Sequence, residues 1–150
     1  TAATVIAVDT RTEALDHALR NGADHAVTSD DGAAASIRDI TGGRGADVIL
    51  DFVGVDATLA MAAAAARTVG DVTIVGIGGG TLPLSFFSVP YEVSLQTTYW
   101  GTRPELIEVL NLAARGLLRP DTVQFSLDQA TDAYHQMENG RLTGRAVVVP

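Results

Sequence analysis

The chain has 150 residues, 47% of them hydrophobic, and a net charge of −8; that suits one domain with a core, while dispersed acids disfavour nucleic-acid and anionic-membrane partners. The absence of cysteine excludes disulfides and thiolate metal sites and suits a cytoplasmic protein, and with all ten cationic side chains being arginine, lysine Schiff-base and general-base chemistry are excluded. No window approaches the roughly 18 uninterrupted apolar residues of a membrane span, and the first residues carry no basic-then-apolar leader pattern.

The stretch Thr4–Arg11, TVIAVDTR, opens on an unbroken apolar run, Val5 to Val8, as expected of a parallel strand covered on both faces. Asp9 stands at its carboxyl end. Thr12 is placed to cap a helix through Asn21 with an inward stripe of Leu15, Ala18 and Leu19, and Gly22 sits at a left-handed C-cap. His25–Ser29 is a second strand. Asp30 or Asp31 caps a helix carrying Ile37 and Ile40 to the Gly42–Gly43 stop. Asp47–Val53 is a third strand, ending at Gly54; Asp56 then caps an alanine-rich helix to Arg67, and Asp71–Val75 is a fourth strand. This alternation with short connections predicts an α/β fold with a parallel, doubly wound sheet.

From Gly76 the rhythm changes. Gly76–Tyr91, GIGGGTLPLSFFSVPY, has no helical period and reads as a long apolar loop, of a length usually tied to function or an interface. A strand at about Ser94–Tyr99 leads to Trp100 and Gly101. Thr102 caps a helix with Pro104 and Glu105 in its first turn and Leu106, Val109, Leu110, Ala113 and Leu117 on one face. Thr122–Leu127 is a strand, Asp128 caps a helix with inner residues Ala130, Ala133, Tyr134 and Met137, Gly140 ends it, and Arg145–Val149 closes the chain as a strand. His17, His25 and His135 are scattered without metal spacing, and the pattern displays neither a catalytic residue nor a metal ligand.

Asp9 carries the most chemistry. Open α/β sheets bind ligands at their carboxyl edge, and in a dinucleotide-binding fold an acid there accepts from the adenosine ribose hydroxyls. It also repels a 2′-phosphate by roughly 1–4 kcal/mol, which favours NAD over NADP. The competing reading is that Asp9 only caps the following helix. In such a fold the G-x-G-x-x-G turn follows the first, central strand, so the Asp9 strand matches the second. Too few residues precede Thr4 to supply that first strand and turn. Val75–Gly80 also follows a strand, but Thr81-Leu82-Pro83-Leu84 does not open the required helix. The expectation is a Rossmann-type sheet lacking its first strand and glycine-rich turn, the back portion of a larger protein. Its sheet should divide between the Asp9 strand and Asp47–Val53, and two half-sheets with bare edges should not form a stable monomer alone.

Six stretches carry a family resemblance: VIAVD at 5–9, NGADHAV at 21–27, TGGRGADVILDFVG at 41–54, VGDVTIVGIGGG at 69–80, YWGTRPEL at 99–106 and GRAVVVP at 144–150. In this order and spacing the chain resembles the C-terminal, cofactor-binding portion of the medium-chain dehydrogenase/reductases. It looks most like their bacterial, zinc-containing, NAD-dependent alcohol dehydrogenases. The resemblance implies a partial dinucleotide-binding domain over 1–120 and a return segment over 121–150 that packs towards a catalytic domain. It implies that Asp9 binds the adenosine ribose and that Arg11 lies over the adenine; the basic residue many members carry five positions after the acid is Ala14 here. Phe52, Val53 and Gly54 would border the adenine and its ribose. Val75, Gly76 and Ile77 would run beside the nicotinamide, with the Val75 and Thr98 carbonyls and the Trp100 amide clamping its carboxamide. Tyr99 and Trp100 would face the substrate pocket, and Arg145 would contact the pyrophosphate.

The implied activity is hydride transfer between NAD and an alcohol or ketone, assisted by zinc whose ligands lie in an N-terminal portion outside this chain. The implied assembly is a homodimer or homotetramer through residues 81–99, where Phe86 and Phe87 form an apolar stretch. Two other readings stay open. One is a zinc-independent quinone or enoyl reductase of the same superfamily. The other is a non-catalytic nucleotide-binding module or a methyltransferase-like domain, which also holds a ribose with an acid after its second strand.

Overall fold

In the computed structural model, which describes residues 3–150, the chain falls into two units, one running to Tyr99 and the other spanning Trp100–Pro150. The first unit alternates strand and helix. Strand β1 (Ile6–Asp9) leads through helix α1 (Thr12–Arg20) to β2 (His25–Thr28), and the two strands pair in parallel from Ile6 opposite His25 to Asp9 opposite Thr28. Helix α2 (Ala33–Ile40), strand β3 (Ala46–Asp51), helix α3 (Asp56–Ala65) and strand β4 (Ala66–Ile74) follow, and β5 (Ser94–Thr97) comes after the predicted long loop. Strands β3, β4 and β5 make a second parallel sheet in that order.

No ladder joins β1 to β3 among the described residues, the division expected from the sequence. Apolar packing joins what hydrogen bonding does not. Val27, Ala33, Ile37 and Ala65 form one buried cluster, and Ile6 and Val8 of β1 pack on it together with Ile49 of β3. Full burial of a valine or isoleucine such as Val27 or Ile37 stabilises by about 1.5–3 kcal/mol, so this cluster of strand and helix residues holds both half-sheets in one unit.

Local details differ from the sequence expectations for identifiable reasons. The residue before α1 is Arg11 rather than Thr12, and its side chain makes no cap bond. Gly32 precedes α2, with the Asp30 carboxylate accepting from the Gly32 N–H at 2.8 Å in a turn just outside the helix. Leu15 of α1 is buried as predicted, whereas Leu19 is exposed. The largest difference is at the end of α3, where Ala66 turns extended and pairs with Ala46, so β4 begins five residues before the predicted Asp71. Helix propensity is a weak preference that a ladder overrides. Alanine also lets the two backbones approach closely here, Ala66 being fully buried.

In the second unit, α4 (Arg103–Ala114) begins as the sequence predicts. The Thr102 N–H and hydroxyl donate to Glu105 Oε2 at 2.6 and 2.7 Å, and Pro104 occupies the first turn. The Thr102 backbone bond, then its hydroxyl, hold the Glu105 carboxyl below its ordinary range. Of the residues predicted on one apolar face, Leu106, Val109, Leu110 and Leu117 are exposed. Strand β6 (Thr122–Ser126) pairs in parallel with β7 (Arg145–Val149), linked by a short 3-10 turn (Leu127–Gln129) and helix α5 (Ala130–Glu138). Gln129 Oε1 accepts from the Ser126 N–H and hydroxyl, so Ser126 rather than Asp128 opens this segment. Phe125 and Ala133 are buried, while Tyr134 and Met137, expected inside, are exposed. Among the described residues no helix is long and apolar enough to cross a membrane.

Candidate functional site

Because β3, β4 and β5 run parallel, their carboxyl ends lie along one edge of the sheet. Asp51 is opposite Ile74 and Ile74 opposite Thr97, so the segments that follow emerge side by side. These are Phe52–Gly54, Val75–Ile77 and Thr98, and this register brings together most of the first unit's predicted site residues. Backbone bonds continue past the strand ends. The Val75 and Gly76 N–H groups donate to the Asp51 carbonyl at 2.8 and 2.9 Å, Thr98 N–H to the Ile74 carbonyl at 3.1 Å, and Gly78 N–H to the Val53 carbonyl at 3.0 Å.

Two glycines allow this approach. Gly54 has φ of +72°, and a Cβ there would overlap the Gly76 carbonyl; a Cβ at Gly76 would overlap the Val53 backbone. At Gly76 the missing side chain thus lets the chain's own Val53 backbone approach closely.

Asp51, which the sequence reading passed over, ends β3 on this edge and is 6% exposed. Its Oδ1 accepts from the Val53 and Gly54 N–H groups at 2.9 and 3.0 Å, and its Oδ2 from the Thr58 hydroxyl at 2.8 Å. Thr58 lies in the first turn of α3 and accepts in turn from the Val55 N–H at 3.2 Å. A buried carboxylate is costly unless bonded, and here both oxygens are. The signal was present: VILD at 48–51 repeats the apolar run closed by an acid seen in VIAVD.

Around this bonded floor the side chains are apolar and open. Phe52, Val53 and Tyr99 are exposed and Ile77 is 91% exposed, an apolar concentration of the kind that marks a binding surface. Asp9 and Arg11 belong to the other sheet of this unit, at the end of β1. Asp9 Oδ1 accepts from the Arg11 backbone N–H at 2.9 Å and pairs with its guanidinium at 3.5 Å. Oδ2 has no partner among the described residues, and the carboxylate reaches no N–H of the first turn of α1. Trp100 and Arg145 lie in the second unit. Trp100 is exposed, and Arg145 opens β7 with its backbone N–H donating to the Asp121 carbonyl at 2.8 Å.

In the long loop, Phe86 meets Phe87 edge-on at 5.0 Å and Tyr91 at 5.7 Å, all three exposed. Asp47 is held below its ordinary range, chiefly by its bond from Arg67 and then by Arg44, but it stands at the amino end of β3, away from the ligand edge. Among the described residues no group of three or more His, Cys, Asp or Glu is placed to hold a metal.

Comparison with known proteins identifies the family and the fold. A family model described as zinc-binding dehydrogenase matches residues 2–115. The chain is 36% identical to an NAD-dependent alcohol dehydrogenase of Sulfolobus acidocaldarius, over 96% of this chain and 42% of that protein. It is 27% identical to a D-arabinose 1-dehydrogenase (NADP(+)) of Saccharolobus solfataricus, over 98% of this chain and 42% of that protein. Among solved structures, the alcohol dehydrogenase of Aeropyrum pernix superposes with a TM-score of 0.88 at 36% identity, over 100% of this chain and 44% of that one. The chain therefore spans less than half the length of these relatives.

Proposed function

The chain belongs to the zinc-binding dehydrogenase family, and we propose that it forms the cofactor-binding part of an oxidoreductase transferring hydride between NAD and an alcohol or ketone. The observation that carries this reading is the convergence of Phe52–Gly54, Val75–Ile77 and Thr98 at the carboxyl edge of one parallel sheet, where such folds bind dinucleotides. When bound, NAD supplies the hydride acceptor; the residues here bind and orient it.

Asp9 is proposed to take the adenosine ribose hydroxyls on Oδ2, the oxygen without a hydrogen-bond partner among the described residues, with Arg11 beside the adenine. Phe52, Val53 and Gly54 border the adenosine. Val75, Gly76 and Ile77 flank the nicotinamide, with the Val75 and Thr98 carbonyls accepting from its carboxamide. For Trp100 and Arg145, the proposed amide donation to the carboxamide and contact to the pyrophosphate rest on the resemblance alone. Tyr99 and Trp100 are proposed to offer apolar surface to a small or medium hydrophobic alcohol.

One relative's name carries NADP, so family membership does not choose the cofactor; the charge of Asp9 favours NAD. The described residues present no cluster that fits a metal, and the zinc of the proposed enzyme is proposed to be held by residues outside this chain. The cysteine-free composition fits a cytoplasmic setting. Fluorescence titration of the intact protein should give saturable binding of NADH and weaker binding of NADPH. Absence of NADH binding would overturn the reading in favour of a non-catalytic module.

Assembly as a homodimer or homotetramer through residues 81–99 belongs to the same proposal. It is supported by the exposed Phe86, Phe87 and Tyr91 and by β5, the outer strand of its sheet, which pairs with β4 alone among the described residues. Phe87→Asp should move the sedimentation coefficient of the intact protein towards that of a monomer; an unchanged value counts against this interface.

A further inference from the structure

We infer that Asp51 is a positioning residue for the cofactor, one carboxylate and one carbonyl that together set both segments of the binding edge. The inference rests on the proposed NAD site. Its physical content is the number of independent donors that converge on a single residue. The carboxylate holds the Val53 and Gly54 N–H groups and the Thr58 hydroxyl, and the carbonyl of the same residue holds the Val75 and Gly76 N–H groups. Phe52–Gly54 and Val75–Ile77 are therefore not oriented separately; both are referenced to Asp51. Thr58 carries this reference into the first turn of α3, where it also accepts from the Val55 N–H.

Asp51 has no role to spare for the ligand itself. It is buried, and both carboxylate oxygens are already engaged. Removing the carboxylate orphans two consecutive N–H groups at the point where the backbone must meet the adenosine, and the segment is then free to turn them towards water. An amide in its place retains the geometry. In Asp51→Asn the side-chain oxygen would accept from the same two N–H groups, and the amide nitrogen would donate to Thr58, whose own proton would turn to the Val55 carbonyl, 3.1 Å away.

The test is NADH titration and steady-state kinetics on the intact protein, alongside thermal unfolding. Asp51→Ala is expected to weaken NADH binding and raise the KM for NAD by about tenfold or more, with the alcohol KM within about twofold, as loss of a bonded buried acceptor implies. Asp51→Asn should stay within about threefold of the unaltered protein in both. Where Asp51→Ala fails to fold, Thr58→Val and Thr58→Ser give the same comparison: valine weakens NADH binding and serine restores it. A lowered Tm with unchanged NADH affinity in Asp51→Ala or Thr58→Val overturns the positioning role and leaves a purely structural one. Failure of the unaltered protein to bind NADH would instead overturn the proposed function.

Discussion

Replacing Asp9 by glycine is expected to raise the NADP/NAD ratio of kcat/KM by about tenfold or more. Two like charges at contact distance repel by roughly 1–4 kcal/mol between the bulk-water and near-surface dielectric limits, and about 1.4 kcal/mol is a factor of ten. The geometry adds a second contribution of the same sign. The Arg11 guanidinium is paired with Asp9 Oδ1 at 3.5 Å, and without the acid it becomes available to a 2′-phosphate. Glycine also deletes the acceptor that holds the Arg11 N–H at 2.9 Å, so Asp9→Asn is the necessary companion. The amide keeps that turn and loses only the charge, so the ratio should move in the same direction by a smaller factor. The measurement is the ratio itself, determined for both cofactors with one alcohol. An unaltered ratio in both variants would reduce Asp9 to a backbone acceptor at the start of α1.

Gly54→Ala should cost about 2–5 kcal/mol of unfolding free energy, the larger of two substitutions at left-handed glycines. An L-residue in that region costs roughly 1–2 kcal/mol by itself. At Gly54, φ +72°, the new methyl also meets the Gly76 carbonyl, and overpacking against a constrained neighbour adds about 1–3 kcal/mol. Gly79, φ +79°, is the control: nothing lies within 4 Å of its Cβ position, so Gly79→Ala should cost only the conformational part, about 1–2 kcal/mol. Urea denaturation midpoints at constant slope separate the two. Equal costs would mean that the segments at 54 and 76 yield easily and do not form a rigid edge.

Both substitutions probe what local patterns do and do not encode. VIAVD and VILD do not show the expected covering of both faces: β1 is only partly buried and Val5, Val48 and Leu50 are exposed, since burial depends on what packs there. They still announce parallel strands because apolar runs closed by an acid are a property of consecutive residues. Thr102, Pro104 and Glu105 announce the start of α4 for the same reason, since a cap is complete within four residues. The order of strands and helices, the α/β class and the division between the first two strands and the rest were legible in this way, as was the family. The beginning of β4 was not. Ala66 has the composition of the helix before it and becomes strand only because Ala46, twenty residues earlier, offers a partner. The stripe on α4 was legible as apolar, but its exposure was not, because periodicity reports which side is apolar and not whether anything packs there.

The sequence by itself determined the elements, their alternation, and the acid at position 9, all written in neighbouring residues. Only the tertiary structure decided that Asp51 is buried with both its oxygens and its carbonyl engaged, and that Gly54 and Gly76 are glycines because two backbones meet there. The physical reason is distance along the chain. Capping and hydrophobic period are settled within a turn or a strand, whereas the binding edge is assembled by parallel register between segments some twenty residues apart, whose partners no local pattern names.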